Sequence, residues 1–272
     1  MRCSGTTIVG CLLSAGLTYA APAAVRSGQG WSITPVPTQA DWDSLQGGPS
    51  LAAGKTPDLR PVPGYAYAVD ADDAKQLTDG VLAGDGQQMH TDRRAVGWAY
   101  TPYVRVTVDL GSVQPVGQVL WRQASLSKEN TLPRQIILSL SADGDSFHSA
   151  MRVSRKVHPD DDPALTFEPV PAEPPALYAL TLRAGYQARY VRLDLATEGH
   201  VIADELAVVA GPANLPALPP TPQGEREWLD NVFDRRDQFT KLIAPGNLAA
   251  GLTLRYSPQP GYALTTDATD PA

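Results

Sequence analysis

The chain has 272 residues, enough for one or two domains, with 25 prolines and 23 glycines, a mixture that fits many turns and short strands better than a helical bundle. Its formal net charge of -7 excludes a basic field for nucleic acid or an anionic membrane, and leaves a neutral polymer or a cation as suitable partners.

In chain order, the first element is an export signal. Arg2 is the only charge in the first twenty residues, a largely apolar run follows from Thr7 to Leu17, and Thr18-Tyr19-Ala20 ends it with small residues at a cleavable spacing. Residues 1–20 therefore read as a signal peptide cleaved near Ala20, and the chain as secreted or periplasmic. The run is too short for a stable bilayer anchor, and no later segment is long and apolar enough to span. Ile8-Val9-Gly10-Cys11 has the look of a lipoprotein box, but the apolar core continues past Cys11. Both cysteines, Cys3 and Cys11, fall within the segment to be removed. The mature chain is then expected to lack disulfides, thiolate metal sites and a cysteine nucleophile.

Residues 21–50 are rich in Pro, Gly, Ser and Ala, interrupted by Trp31 and Trp42, and read as an extended leader that packs only in part. A module follows at 51–210. Its strands are expected at Tyr103–Leu110, Val116–Trp121, Gln135–Ser141, Leu177–Leu182, Arg189–Leu195 and Leu206–Val209, with Asp143-Gly144 as a tight turn. No helical pattern separates them, so the sheet should be mainly antiparallel and fold as an all-β sandwich. Residues 211–246 comprise a Pro-rich linker and a helix from Glu225 to Ile243, with Trp228, Leu229, Val232, Phe233 and Phe239 near helical spacing. Acids sit early in that helix and Lys241 late, as the helix dipole favours.

Residues 247–272 repeat the opening of the module. Leu51-Ala52-Ala53-Gly54 recurs as Leu248-Ala249-Ala250-Gly251, Pro63-Gly64-Tyr65-Ala66 as Pro260-Gly261-Tyr262-Ala263, and Asp70-Ala71 and Asp73 as Asp267-Ala268 and Asp270, all at one offset. A constant offset across separate matches argues for a true internal repeat. The expectation is a truncated start of a second copy, with a tandem domain downstream.

The landmarks of the first module fall in a recognisable order: Leu77-Thr78-Asp79-Gly80, Val108-Asp109-Leu110-Gly111, Pro133 before Ile136–Ser141, Ala142-Asp143-Gly144-Asp145-Ser146-Phe147, Ala188-Arg189-Tyr190-Val191-Arg192-Leu193, and Asp204-Glu205-Leu206. This order resembles the discoidin or coagulation-factor type C family, which includes the galactose-binding-like carbohydrate-binding modules of bacterial glycosidases. The resemblance covers about Tyr65 to Ala210. It implies an antiparallel jelly-roll β-sandwich with binding loops at one end, and a non-catalytic module for cell-surface or extracellular polysaccharide. A structural or adhesive protein-binding module, or the N-terminal accessory part of a larger secreted glycosidase, are the alternatives.

The resemblance also implies a structural calcium near the opening loop, with Asp79 and Glu205 in matching positions. Calcium takes oxygen ligands, which such a loop supplies. The insertion Val81–His90 displaces the middle ligands, for which Asp85, Thr91 and Asp92 are candidates; Asp79, Thr91 and Glu205 are the set taken here. For the glycan, the loops offer His90, Arg94, Trp98, Tyr100, Lys128, Asn130 and His200, because aromatic faces suit the C–H faces of sugar rings and the polar groups suit hydroxyls. Trp98 is equally readable as core. No Gly-x-Ser-x-Gly elbow, Gly-rich phosphate loop or His-Glu-x-x-His occurs, and the acidic runs Asp72-Asp73 and Asp160-Asp161-Asp162 read as solvated loops.

Overall fold

The computed structural model describes residues 26–84, 89–127, 130–170 and 176–220, all within one compact unit, Met1–Glu225. The expected signal segment, the helix expected at Glu225–Ile243 and the expected second repeat lie outside the described residues.

Strands β1 (Arg26–Gly28) and β2 (Trp31–Pro35) precede helix α1 (Gln39–Gln46); β3 (Asp58–Arg60), the one-turn helix α2 (Asp73–Gln76) and β4 (Val96–Ala99) follow. The large strands are β5 (Tyr103–Ser125), β6 (Gln135–Ser141), β7 (His148–Arg155), β9 (Ala176–Ala196) and β10 (His200–Ala210), with the short β8 (Thr166–Phe167) between β7 and β9. All pairings between the named strands are antiparallel except β7 with β8, so the sheet is mixed, in the order β4-β10-β5-β9-β6-β7-β8. The chain is mostly β rather than all-β.

Two strands organise the architecture. The sequence marks Tyr103–Leu110 and Val116–Trp121 as separate strands, and likewise Leu177–Leu182 and Arg189–Leu195. In the structure each couple is one strand, β5 and β9. These two pair with each other along their whole length, with register shifts between Asp109 and Gln114 and between Val116 and Gln118. At those shifts the ladder turns a corner. The N-terminal half of β5 and the C-terminal half of β9 pair with β3 and β6, while their other halves pair with β10 and β2. The halves face each other around one core, because Val106, Leu138 and Leu193 share a cluster with Val119, Leu182 and Val208. A sheet folded over in this way buries one face of every strand without helices. Each such Val or Leu contributes roughly 1.5–3 kcal/mol on burial, and residues 26–220 contain no cysteine to supplement that core.

The outer face of the second layer is covered in part, by the 21–50 segment that the sequence reads as a leader packing only in part. Strand β2 pairs with β9 from Trp31↔Leu182 to Pro35↔Tyr178. Helix α1 has a capping box, in which the Asp41 backbone N–H donates to Thr38 Oγ1 (3.2 Å) and the Thr38 N–H donates to Asp41 Oδ2 (3.1 Å). Gly47, at φ 70°, ends the helix in the left-handed conformation that glycine adopts without penalty. The helix seats Trp42 against Leu120, Ala179 and Ala207 of the sheet. Arg122 and Asp204, both fully buried, form an ion pair under this cover; Arg122 Nε also donates to the Val36 carbonyl (3.0 Å), and Asp204 Oδ2 accepts from the Ala83 N–H (2.8 Å). Burial raises the Asp204 carboxyl to about 6 despite the guanidinium beside it. The pair fastens the leader and the 81–84 loop to the sheet.

Candidate functional site

The loops at the end of β4 and the start of β10 gather aromatic rings. His200 opens β10 and pairs with Ala99, the last residue of β4. Tyr100 follows Ala99 and carries a left-handed backbone, φ 49°. A non-glycine residue there costs about 1–3 kcal/mol and must be held by its surroundings. Thr197 supplies the hold: its N–H donates to the Pro102 carbonyl (2.9 Å) and its hydroxyl to the Thr101 carbonyl. The result sets the Tyr100 ring 4.5 Å from the His200 imidazole, tilted by 57°. Tyr65 approaches the same imidazole edge-on at 5.1 Å, and Tyr67 lies 5.6 Å beyond Tyr65.

Tyr65 is half-buried against the apolar cluster of Met89, Ala124 and Ile202. Its N–H and that of Gly64 both donate to the Gly97 carbonyl at 3.0 Å. Burial, and then the neighbouring Tyr67 phenol, raise its pKa. Tyr67 and Tyr100 are by contrast 69% and 70% exposed. Two seated rings, Tyr65 and His200, thus support two open ones. Two residues before His200, the Glu198 carboxylate accepts from Arg155 Nη2 (2.6 Å) and Arg134 Nη1 (3.2 Å). Arg155 foremost lowers the Glu198 pKa.

Of the residues expected from sequence, the structure brings together Tyr100 and His200, with Asn130 close by through a backbone bridge to Gly199. The Asn130 side chain is buried, at 5% exposure. Trp98 is a correction: it is 1% exposed, packs in the sandwich core, and its Nε1 donates to the Pro61 carbonyl at 2.8 Å. Along β4 alternate residues face opposite ways, and Trp98 falls on the inner side. Its face is closed to any ligand. Arg94 is on the surface with its guanidinium held by Asp92 through two hydrogen bonds (3.0 and 2.6 Å). His90 sits half-buried in a single 3-10 turn, Met89–Thr91. Lys128 lies outside the described residues. Tyr65 and Tyr67 were missed as site residues, although Pro63-Gly64-Tyr65-Ala66 stood out as a repeated motif.

A second set of donors lies at Gly80. Its N–H donates to Glu205 Oε2 (3.0 Å), and the adjacent Asp79 carboxylate is near enough to raise the Glu205 pKa. Glu205 is 2% exposed and its carboxyl is pushed up to about 9, by burial first and then by Asp204 and Asp79. Asp79 is exposed and accepts from the Val81 N–H (2.8 Å). Thr91 is exposed at the end of the 3-10 turn. Among the described residues no group of three or more His, Cys, Asp or Glu gathers to hold a metal. Asp79 and Glu205 offer carboxylate oxygens, the donor type that calcium takes.

No protein-family model and no curated protein matches the chain. The structure does match solved carbohydrate-binding modules of the discoidin-like kind, at low sequence identity. It is similar to CpGH89CBM32-6 from Clostridium perfringens, with 19% identity over 60% of this chain and 99% of that one and a TM-score of 0.35. A chitosan-binding module of a chitosanase/glucanase from Paenibacillus sp. IK-5 matches with 17% identity over 59% and 98%, TM-score 0.38. The Streptococcus pneumoniae fucose-binding module SpX-3 matches with 11% identity over 60% and 98%, TM-score 0.40. Among the described residues no helix is long and apolar enough to cross a membrane.

Proposed function

We propose that the chain is an exported, non-catalytic carbohydrate-binding module of galactose-binding-like jelly-roll type. Its binding surface is the Tyr67–Tyr65–His200–Tyr100 platform, and its ligand a cell-surface or extracellular polysaccharide. The observation that carries the reading is the ring chain itself, in which two phenol faces about 70% open to water are backed by two seated rings. A sugar laid on these faces buries its C–H side against them and leaves its hydroxyls to the imidazole and to the Glu198 carboxylate. The left-handed backbone at Tyr100 supports the same reading, since it carries an exposed ring beside His200.

The reading includes a structural calcium held by Asp79 and Glu205, with Thr91 as a further oxygen donor. Bound there, the ion would supply the countercharge that a buried carboxylate needs. It also includes a tandem second domain begun at residues 247–272, whose benefit would be avidity for a polymer of repeating epitopes.

A glycan array followed by calorimetry on the full chain tests the platform. Tyr100→Ala and His200→Ala should each weaken the best glycan by about tenfold, the worth of one aromatic contact. If no glycan binds, or both variants bind as the wild type does, the platform reading fails.

A further inference from the structure

The outer face of the second layer is covered only in part. Side chains alternate across β2, β9, β5 and β10 in registered rows. Trp31, Leu182, Val119 and Val208 form an inner row and belong to the core. The rows facing outward are Ser32–Thr181–Leu120–Ala207 and, next to it, Arg183–Gln118–Val209. Helix α1 and its Trp42 cover Leu120, Ala179 and Ala207. Beyond that cover the face changes character, from alanine and leucine to Ser32, Thr181, Gln118 and Arg183.

A groove of about 500 Å³ lies over these four residues. The β1–β2 turn at Gly28–Gly30 walls one side, and residues 209–212, at and just past the end of β10, wall the other. Gly117, at the bulge of β5, closes against the Gly211 backbone so tightly that a Cβ on Gly117 would meet the Gly211 Cα at 2.9 Å. The volume falls within the roughly 300–1,000 Å³ of small-molecule sites, and convergent polar groups in such a cleft mark a binding site.

The groove's chemistry defines its ligand. Arg183 is the one ionisable side chain of the lining. Arg105, Arg122, Arg155 and Arg189 each donate to a carboxylate, whereas exposed Arg183 meets none among the described residues. A planar guanidinium matches a carboxylate through two parallel hydrogen bonds. Thr181 lines the groove too, but its Oγ1 is closed to solvent, so the polar contacts fall to its neighbours. Ser32 and Gln118 flank it with further polar groups.

We infer that this groove is a second ligand site, separate from the aromatic platform, for a saccharide that carries a carboxylate. Arg183 binds the carboxylate, and Ser32 and Gln118 bind ring hydroxyls. The site shares no residue with the platform, so each stands or falls alone.

Amide chemical shifts of the full chain, titrated with D-glucuronate at about 150 mM salt to screen loose ion pairing, test the inference. D-glucose serves as the neutral match and acetate as the charge-only match. Saturable shifts should appear at Gly30, Gln118 and Thr181 with glucuronate, and both controls should bind at least about tenfold more weakly. Arg183→Gln should cost about tenfold in glucuronate affinity and leave the platform amides unmoved, because the side chain is on the surface. Tyr100→Ala should leave the groove shifts intact. Absence of saturation at the groove, equal binding of acetate, or an Arg183→Gln variant that binds as the wild type does would each overturn it.

Discussion

Replacing Gly97 by alanine drives a methyl carbon into the seat of Tyr65. The new Cβ would lie 2.6 Å from the Tyr65 Cβ and 3.1 Å from its Cγ and Cδ1. Carbon atoms rest at about 3.5–4.0 Å, so one side must move by about 1 Å. The Tyr65 ring cannot swing clear alone, because the nearest atom is its Cβ and its N–H is bonded to the Gly97 carbonyl. The 64–65 backbone must lift, which pulls the ring from His200. Overpacking of this kind costs about 1–3 kcal/mol, which in a domain of this size lowers the unfolding temperature by about 2–12 °C. Glycan affinity should fall with it, since the ring that supports His200 and Tyr67 has shifted. Urea unfolding followed by tryptophan fluorescence measures the cost in two backgrounds. Tyr65→Ala keeps the offending Cβ and gives no relief, whereas on a Tyr65→Gly background Gly97→Ala should cost almost nothing. An equal cost in both backgrounds, or none in either, refutes the packing argument.

Arg122→Met strands Asp204 as a buried, unpaired carboxylate and should destabilise by about 3–5 kcal/mol in chemical denaturation; adding Asp204→Leu should restore part of the loss, the Ala83 N–H remaining without its acceptor. Calcium at a hundredfold excess over Kd should raise stability by about 2.7 kcal/mol, measurable as a chelator-sensitive unfolding temperature, and Glu205→Gln should remove the difference; no chelator effect on the wild type sinks the calcium site. Arg189 holds the Asp109 carboxyl down, from 3.8 to about 2. Its folded pKa is thus depressed, so the pair's contribution is present above about pH 4 and is lost as pH falls toward 2. Carboxyl carbon shifts should show that low midpoint, and Arg189→Gln should return it toward 3.8. Both side chains are about 40% exposed, so the global stability change should be small.

What the sequence determined by itself was local and periodic. Alternation places Val104, Val106 and Val108 on one face, and the structure buries all three. Strand β6 runs from Gln135 to Ser141 as the apolar run does. Asp143-Gly144 makes the β6–β7 turn, with Gly144 at φ 88° and Asp143 Oδ1 accepting from the Asp145 and Ser146 N–H groups. These features follow from φ/ψ preferences and nearest neighbours, which a linear chain displays. Tertiary structure decided the rest. Residues 110–113 have no partner on β9, so Gly111–Pro115 looked like a gap between strands where β5 in fact passes from one layer to the other. The leader read as extended and packing only in part because its strand and helix bury few apolar side chains, Trp31, Ile33 and Trp42, and those need the sheet beneath them. The aromatic site shows the limit most directly. Trp98 and Tyr100 stand two apart, and either could present a ring. Pairing of β4 with β10 turns Trp98 inward, while the positive φ of Tyr100 throws its ring out beside His200, a residue 100 positions away. Which ring opens to solvent is set by contacts between strands distant in sequence, and no local pattern encodes them.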